Sequence, residues 1–198
     1  MGAGILPTTI YNNKIYFLFG KENKYEDSAS GFSDFGGGTD NNETYFQTAI
    51  REGTEELTGF LGSPIDLKKM IKKNGYYGID YKSDGFSNYR THIFPYVYDD
   101  RLPLYYNNNQ QFLQKHLDQS IIKQSKIFEK EKIEWFCIDD LMKRKKEFRS
   151  YFQDIIEIIY REKNAILRFL KKAKLEKPIF KKTRKSRKSR KSRKSRKS

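Results

Sequence analysis

Residues 37–56 read GGTDNNETYFQTAIREGTEE, running from Gly37 to Glu56. A helix is expected from Glu43 to Thr58, and the run Gly36-Gly37-Gly38 before it lets the chain turn sharply without a Cβ penalty. Residues three and four apart on a helix share a face, so Glu52, Glu55 and Glu56 point in nearly one direction. Like charges at that spacing destabilise a helix by about 0.2–0.5 kcal/mol per pair. A hard divalent cation held through carboxylate oxygens would offset this, and Mg2+ typically shares its remaining sites with waters and substrate phosphates. The plain alternative is a solvated acidic face after a glycine turn.

The full spacing favours the cation. Gly37, five residues, Glu43, seven residues, Arg51-Glu52, two residues, Glu55-Glu56 resembles the Nudix box, G-x5-E-x7-R-E-U-x-E-E-x-G-U, with every fixed position filled through the double glutamate. Two positions depart from it. Gly53 stands where the box has a bulky aliphatic, which points to close backbone packing. The closing glycine falls at Gly59 instead of position 58, which points to an altered helix exit.

The resemblance implies a metal-dependent hydrolase of nucleoside-diphosphate-linked substrates, working with Mg2+ or Mn2+. It makes Glu52, Glu55 and Glu56 metal ligands, with Glu52 also counted among the catalytic residues. Arg51 would hold Glu43 through a charge-assisted hydrogen bond, and Gly37 would shape the motif loop. The implied fold is α+β: an α/β/α sandwich with a mixed sheet and a loop-helix-loop catalytic motif. The resemblance extends to a first strand like Ala3-Gly-Ile-Leu6 and to Ile133-Glu-Trp-Phe136 before the last helix. Glu129-x-x-Lys132-Ile133-Glu134-Trp135 is similar to the segment of mRNA-decapping members whose leading glutamate is the general base. Glu129 is the expected base, Glu131 the second choice, and Glu134 is assigned a structural role.

Around this segment the chain reads as strands Gly4 to Tyr11 and Lys14 to Phe19, turning at Asn12-Asn13. A polar loop follows from Glu22 to Asp34. Tyr76 to Lys82 and Phe86 to Tyr98 read as a hairpin about Asp84-Gly85, with Pro95 moving its second strand to an edge or bulge. Phe112, Leu113, Leu117, Ile121 and Ile122 suggest an inserted helix over Asn107 to Phe128. Lys132 to Ile138 reads as a strand and Phe148 to Leu170 as one long helix. The elements together give a mixed α+β sheet covered on both faces.

The 198 residues carry a net charge of +15. Twelve positive charges and no acid fall between Lys181 and Ser198, which leaves +3 for residues 1–180. Residues 184–198 are five Arg-Lys-Ser repeats, with nothing apolar to bury, so a disordered basic tail is expected. Residues 1–175 are read as the catalytic domain and 176–198 as the tail. The tail would attract polyanions in a salt-dependent way, RNA above all, assisted by the Lys143–Lys146 and Lys171–Lys174 clusters. A repeat expansion without a role, or a nuclear-import signal, is the competing account.

The single cysteine, Cys137, excludes an internal disulfide and suits a buried thiol in a reducing compartment. His92 and His116 are isolated from each other and from Cys137, so no Cys/His metal cluster competes. No apolar stretch reaches a membrane span of about 18 residues and no secretory signal is visible, so a cytoplasmic protein is expected, nuclear if the tail directs import. Three function classes remain: a pyrophosphatase acting on the cap of an RNA, one acting on small nucleotides, dinucleoside polyphosphates or inositol pyrophosphates, and a catalytically idle RNA-binding domain.

Overall fold

The computed structural model describes residues 1–23, 30–82, 88–124 and 129–175. The chain opens with β1 (Gly2–Tyr11) and β2 (Lys14–Glu22), joined by Asn12 and Asn13 at φ 47° and 62°. Two successive left-handed residues make the tight hairpin turn whose twist matches the flanking strands, and Asn tolerates that region better than most side chains. Next come β3 (Phe32–Ser33), β4 (Phe35–Gly38), α1 (Tyr45–Glu56) and α2 (Pro64–Asn74). Then follow β5 (Tyr77–Tyr81), β6 (Tyr89–Pro95), α3 (Arg101–His116) and α4 (Gln119–Gln124). The chain closes with β7 (Lys130–Cys137), α5 (Ile138–Leu141), a 3-10 turn at Lys145–Glu147, α6 (Ser150–Arg161) and α7 (Lys163–Lys172).

The seven strands among the described residues form one mixed sheet in the order β3-β2-β1-β6-β5, with β4 beside β1 and β7 beside β2. β1 pairs with β2 only through Thr8–Tyr11, while its first half pairs with β4, from Gly2↔Gly38 to Ile5↔Phe35. The two long strands therefore part near Leu6, and β4 delivers the glycine run into the gap. On the other edge β1 runs parallel to β6 from Gly2↔Tyr89 to Thr8↔Pro95. Helices cover both faces, so the fold is an α+β sandwich with a mixed sheet. Ala3, Ile5, Leu18, Phe35, Phe94 and Ile133 pack beneath α1, α2 and α3. Leu6, Phe17, Phe19, Ile93 and Phe136 pack beneath α5, α6 and α7. A strand buried from both sides needs apolar or small side chains throughout, and β1 is buried from Gly2 to Thr9.

Several expectations are corrected. β6 is interior, between β1 and β5, and Pro95 is its last residue, where its missing N–H does not break the ladder. The tip of that hairpin, Asp84-Gly85, lies outside the described residues. The inserted helix begins six residues earlier, at Arg101, because Pro103 fits a first turn whose N–H groups have no helical partner. It buries Tyr106 and Gln110, whereas Phe112 is exposed and Leu113 and Leu117 are only half-buried. A second helix, α4, buries Ile122. The long helix after Phe148 is two, broken at Glu162, whose carboxylate accepts from the Tyr77 hydroxyl at 2.9 Å. No element was expected at α2, although Ser63 caps it, Pro64 starts it and Asp66 closes a capping box. The Arg-Lys-Ser repeats lie outside the described residues, and among the described residues no helix is long and apolar enough to cross a membrane.

Candidate functional site

Thr44 caps α1 through the Gln47 N–H, and Gln47 returns the bond to the Thr44 N–H at 2.9 Å. The capping box fixes the helix start directly after Glu43. One and two turns on, Arg51 reaches back across the loop. Its Nε donates to Glu43 Oε1 at 3.0 Å and its Nη2 to Glu43 Oε2 at 2.9 Å. Thr48 Oγ1 donates to the same carboxylate at 2.9 Å. These bonds, Arg51 first, hold the Glu43 carboxyl down at about 2. Arg51 also donates from Nη1 to Glu52 Oε1 at 2.6 Å and from Nη2 to the Gly38 carbonyl at 3.0 Å. One guanidinium thus ties helix, loop and glycine run together, which a planar five-donor group can do and an ammonium cannot.

The glycine run is a cradle. A Cβ on Gly37 would fall 2.7 Å from the Glu52 carboxylate, so Glu52 lies directly on the β4 backbone, 13 % exposed. Gly53 serves the other side of the helix: its Cβ would meet Ile5 Cδ1 at 2.3 Å, so α1 lies on β1 backbone to side chain. The helix exit is equally specific. Thr58 stands in the left-handed region at φ 48°, followed by Gly59 at φ 76°.

The three glutamates share a side of α1 but not an environment. Glu55 is 44 % exposed, with Oε2 3.6 Å from Arg51 Nη1. Glu56 turns inward and is buried. Its Oε1 lies 3.2 Å from the ammonium of Lys130, which is fully enclosed at the start of β7. Lys130 Nζ also donates to Glu22 Oε1 and, at 2.9 Å, to Ser33 Oγ. Arg149 Nη1 donates to Glu22 Oε1 at 2.9 Å. Burial alone would lower the Lys130 ammonium, but Glu56 and Glu22 together keep its pKa raised, so it is charged. Burial pushes the Glu56 carboxyl well above the ordinary range, and Lys130 is the main counterweight.

Glu129 sits at the bend before β7, half-buried, and its charge acts on Glu56. Its carbonyl accepts from the Asn23 N–H at 2.8 Å. Glu131 is drawn instead to Lys21 Nζ at 2.6 Å. Glu134 is bound by Arg144 at 2.6 Å. Cys137 and His92 are both buried, and His92 Nδ1 lies 3.1 Å from the Gly4 carbonyl. The structure therefore brings Gly37, Glu43, Arg51 and Glu52 into direct contact, with Glu55 at the rim and Glu56 in an adjoining buried cluster. Among the described residues no three His, Cys, Asp or Glu side chains converge on one point.

Lys130, Glu22, Ser33 and Arg149 were missed from sequence. Lys130 lies in a run of alternating charges, and such runs are usually solvated. A register shift between Lys21 and Glu22, where β2 pairs with β7, is needed to turn it inward.

In kind the donors suit a hard divalent cation: Glu52, Glu55 and Glu56 offer only carboxylate oxygens, the Gly37 cradle leaves room for the Glu52 carboxylate, and the buried Glu56 Oε2 has no hydrogen-bond partner among the described residues. In arrangement they are spread over three environments, so a cation would have to gather them.

No protein-family model matches the chain, and no curated protein matches it. Solved structures similar to it include a C. elegans Ap4A hydrolase in a binary complex, 17% identical, with a TM-score of 0.47 over 84% of this chain and 96% of that one. The M. smegmatis Nudix hydrolase RenU is 14% identical, TM-score 0.48, over 84% and 86%. A Francisella tularensis bifunctional NMN adenylyltransferase/ADP ribose pyrophosphatase, complexed with AMP and Mn ion, is 18% identical, TM-score 0.48, over 81% and 41%. At such identities and scores the chemistry has to be argued from this chain's own side chains.

Proposed function

We propose that this chain is a Nudix hydrolase that uses Mg2+ or Mn2+ to cleave a phosphoric anhydride in a nucleoside-diphosphate-linked substrate. The observation that carries this is the Arg51 clamp, which binds Glu43 bidentately and Glu52 by one bond while Glu52 rests on Gly37. A solvated acidic face has no need of such a clamp. Positions Gly37, Glu43, Arg51 and Glu52 of the motif are the ones it joins.

In this reading Glu52, Glu55 and Glu56 hold the metal, which when bound supplies Lewis-acid stabilisation of the phosphoryl oxygens and activation of a water. Arg51 keeps Glu43 ionised and holds Glu52 in place. Glu129, near enough to Glu56 to feel its charge, is the residue to take the proton of the attacking water, with Glu131 the second choice. A groove of about 350 Å3 between α1 and α2, walled by Phe46, Ile50 and Ile65 and rimmed by Arg51, Glu55 and Lys68, offers room beside the carboxylates for the rest of a substrate.

Both a small nucleotide and the 5′ cap of an RNA contain the bond in question. Charge is what favours RNA. The Lys143–Lys146 cluster is largely neutralised, since Asp140, Glu147, Glu134 and Glu157 pair with Lys143, Arg144 and Lys145. The basic ends of α2 and α7 instead meet where the Lys174 N–H donates to Asn74 Oδ1 at 3.0 Å. Lys72, Lys172 and Lys174 have no ion pair among the described residues there, and the Arg-Lys-Ser repeats follow in sequence. The deciding experiment is a substrate panel with purified protein and Mg2+ or Mn2+: capped RNA, free nucleoside triphosphates, dinucleoside polyphosphates and inositol pyrophosphates. Turnover of any member supports hydrolysis and names the class. RNA binding with no turnover of any would make the chain an idle binding domain.

A further inference from the structure

The enclosed cluster around Lys130 contains a cation of its own. All three ammonium donors are matched: Glu22 Oε1, Ser33 Oγ at 2.9 Å, and Glu56 Oε1 at 3.2 Å. Space is made for the stem as well, since a Cβ on Gly20 would fall 2.9 Å from Lys130 Cδ. The Tyr106 hydroxyl lies 2.7 Å from the Glu56 carbonyl and 3.3 Å from the Lys130 carbonyl, tying the end of α1 to the start of β7. Arg149 Nη1 also donates to Glu22 Oε1, so Glu22 and Glu56 share this cluster with two cations, Lys130 and Arg149. Glu56 is held by one oxygen only, and its Oε2 is buried without a partner among the described residues.

We propose that Lys130 is a resident counter-cation of the site: wedged between Glu22 and Glu56, it occupies Glu56 Oε1 and weakens divalent-cation binding by its charge. The inference rests on the Nudix reading, in which Glu56 is a metal ligand. Its physical basis is simple. A lysine charge next to a carboxylate repels a dication approaching the same carboxylate, and in a buried setting this is screened far less than at the surface.

The test compares Mn2+ binding, by electron paramagnetic resonance of free Mn2+, and thermal midpoints with and without Mn2+. The proteins are the full chain, Lys130→Met, and Glu22→Gln/Lys130→Met. Lys130→Met should bind Mn2+ at least tenfold more tightly than the unaltered chain and gain more thermal stability from it. If that variant does not fold, the double variant, which also removes the facing charge, carries the test and should bind at least threefold more tightly. A lysine that only filled space would not raise metal affinity when removed. Equal or weaker Mn2+ binding by the folded variant would overturn the proposal while leaving the Nudix reading standing. Absence of Mn2+ binding in the unaltered chain and both variants would overturn both.

Discussion

Gly53 of α1 lies so close to Ile5 of β1 that a Cβ on the glycine would be 2.3 Å from Ile5 Cδ1. In an exposed helix, Gly→Ala gains about 1 kcal/mol of propensity. Here the methyl group must displace the helix from the sheet, and overpacking costs about 1–3 kcal/mol. Gly53→Ala should therefore destabilise the protein by about 1 kcal/mol net and lower activity by shifting Glu52 and Glu56. A denaturant midpoint equal to or above that of the unaltered chain would contradict the close packing.

The helix exit makes the opposite prediction. Thr58 is β-branched and sits at φ 48°, in a region that costs an L side chain about 1–2 kcal/mol. Glycine relieves this but loses about 0.5–1 kcal/mol through the greater freedom of the unfolded chain. Thr58→Gly should raise stability by about 0.5–1 kcal/mol and leave turnover intact. A lowered unfolding midpoint would show that the Thr58 side chain has a stabilising role.

Gly37 is tested through its neighbour. Gly37→Ala places a methyl group 2.7 Å from the Glu52 carboxylate, and the Arg51–Glu52 bond must give way. Turnover should fall at least tenfold, while the circular-dichroism spectrum stays that of the folded protein. Unchanged turnover would remove Glu52 from the site.

The Arg51–Glu43 pair has a pH signature. The Glu43 carboxyl is held at about 2 in the fold, chiefly by Arg51, against an ordinary 4.5. A depressed folded pKa contributes stability above the unfolded value, and that stability is lost as pH falls through the folded value. The advantage of the unaltered chain over Glu43→Gln should thus be full above pH 4.5 and disappear toward pH 2. Urea titrations of both proteins across that range measure it, and a constant difference would refute the assignment.

The site's helix was legible because the glycine run and the acidic spacing both act within twenty residues of sequence. The hairpin at Asn12-Asn13 was legible for the same local reason. What escaped depends on partners far away in the chain. Glu56 meets Lys130 only because β7 docks on β2 with a shifted register. The break at Glu162 is invisible because Ile159 and Ile166 keep the same apolar phase across it, whereas the Tyr77 hydroxyl on another strand engages Glu162. Helix α2 buries only Leu67 and Ile71 among four lysines. Its apolar pattern is too thin to announce it, and the Ser63-Pro64 start was the signal to use.

The central claim is that carboxylates of α1 support metal-dependent hydrolysis, and the most direct measurement is turnover of Glu55→Gln and Glu56→Gln. Each change removes a charge and almost no volume. With the best substrate and either Mg2+ or Mn2+, each folded variant should turn over at least tenfold more slowly than the unaltered chain. Unchanged turnover in both would contradict the assignment of this helix face as the metal site.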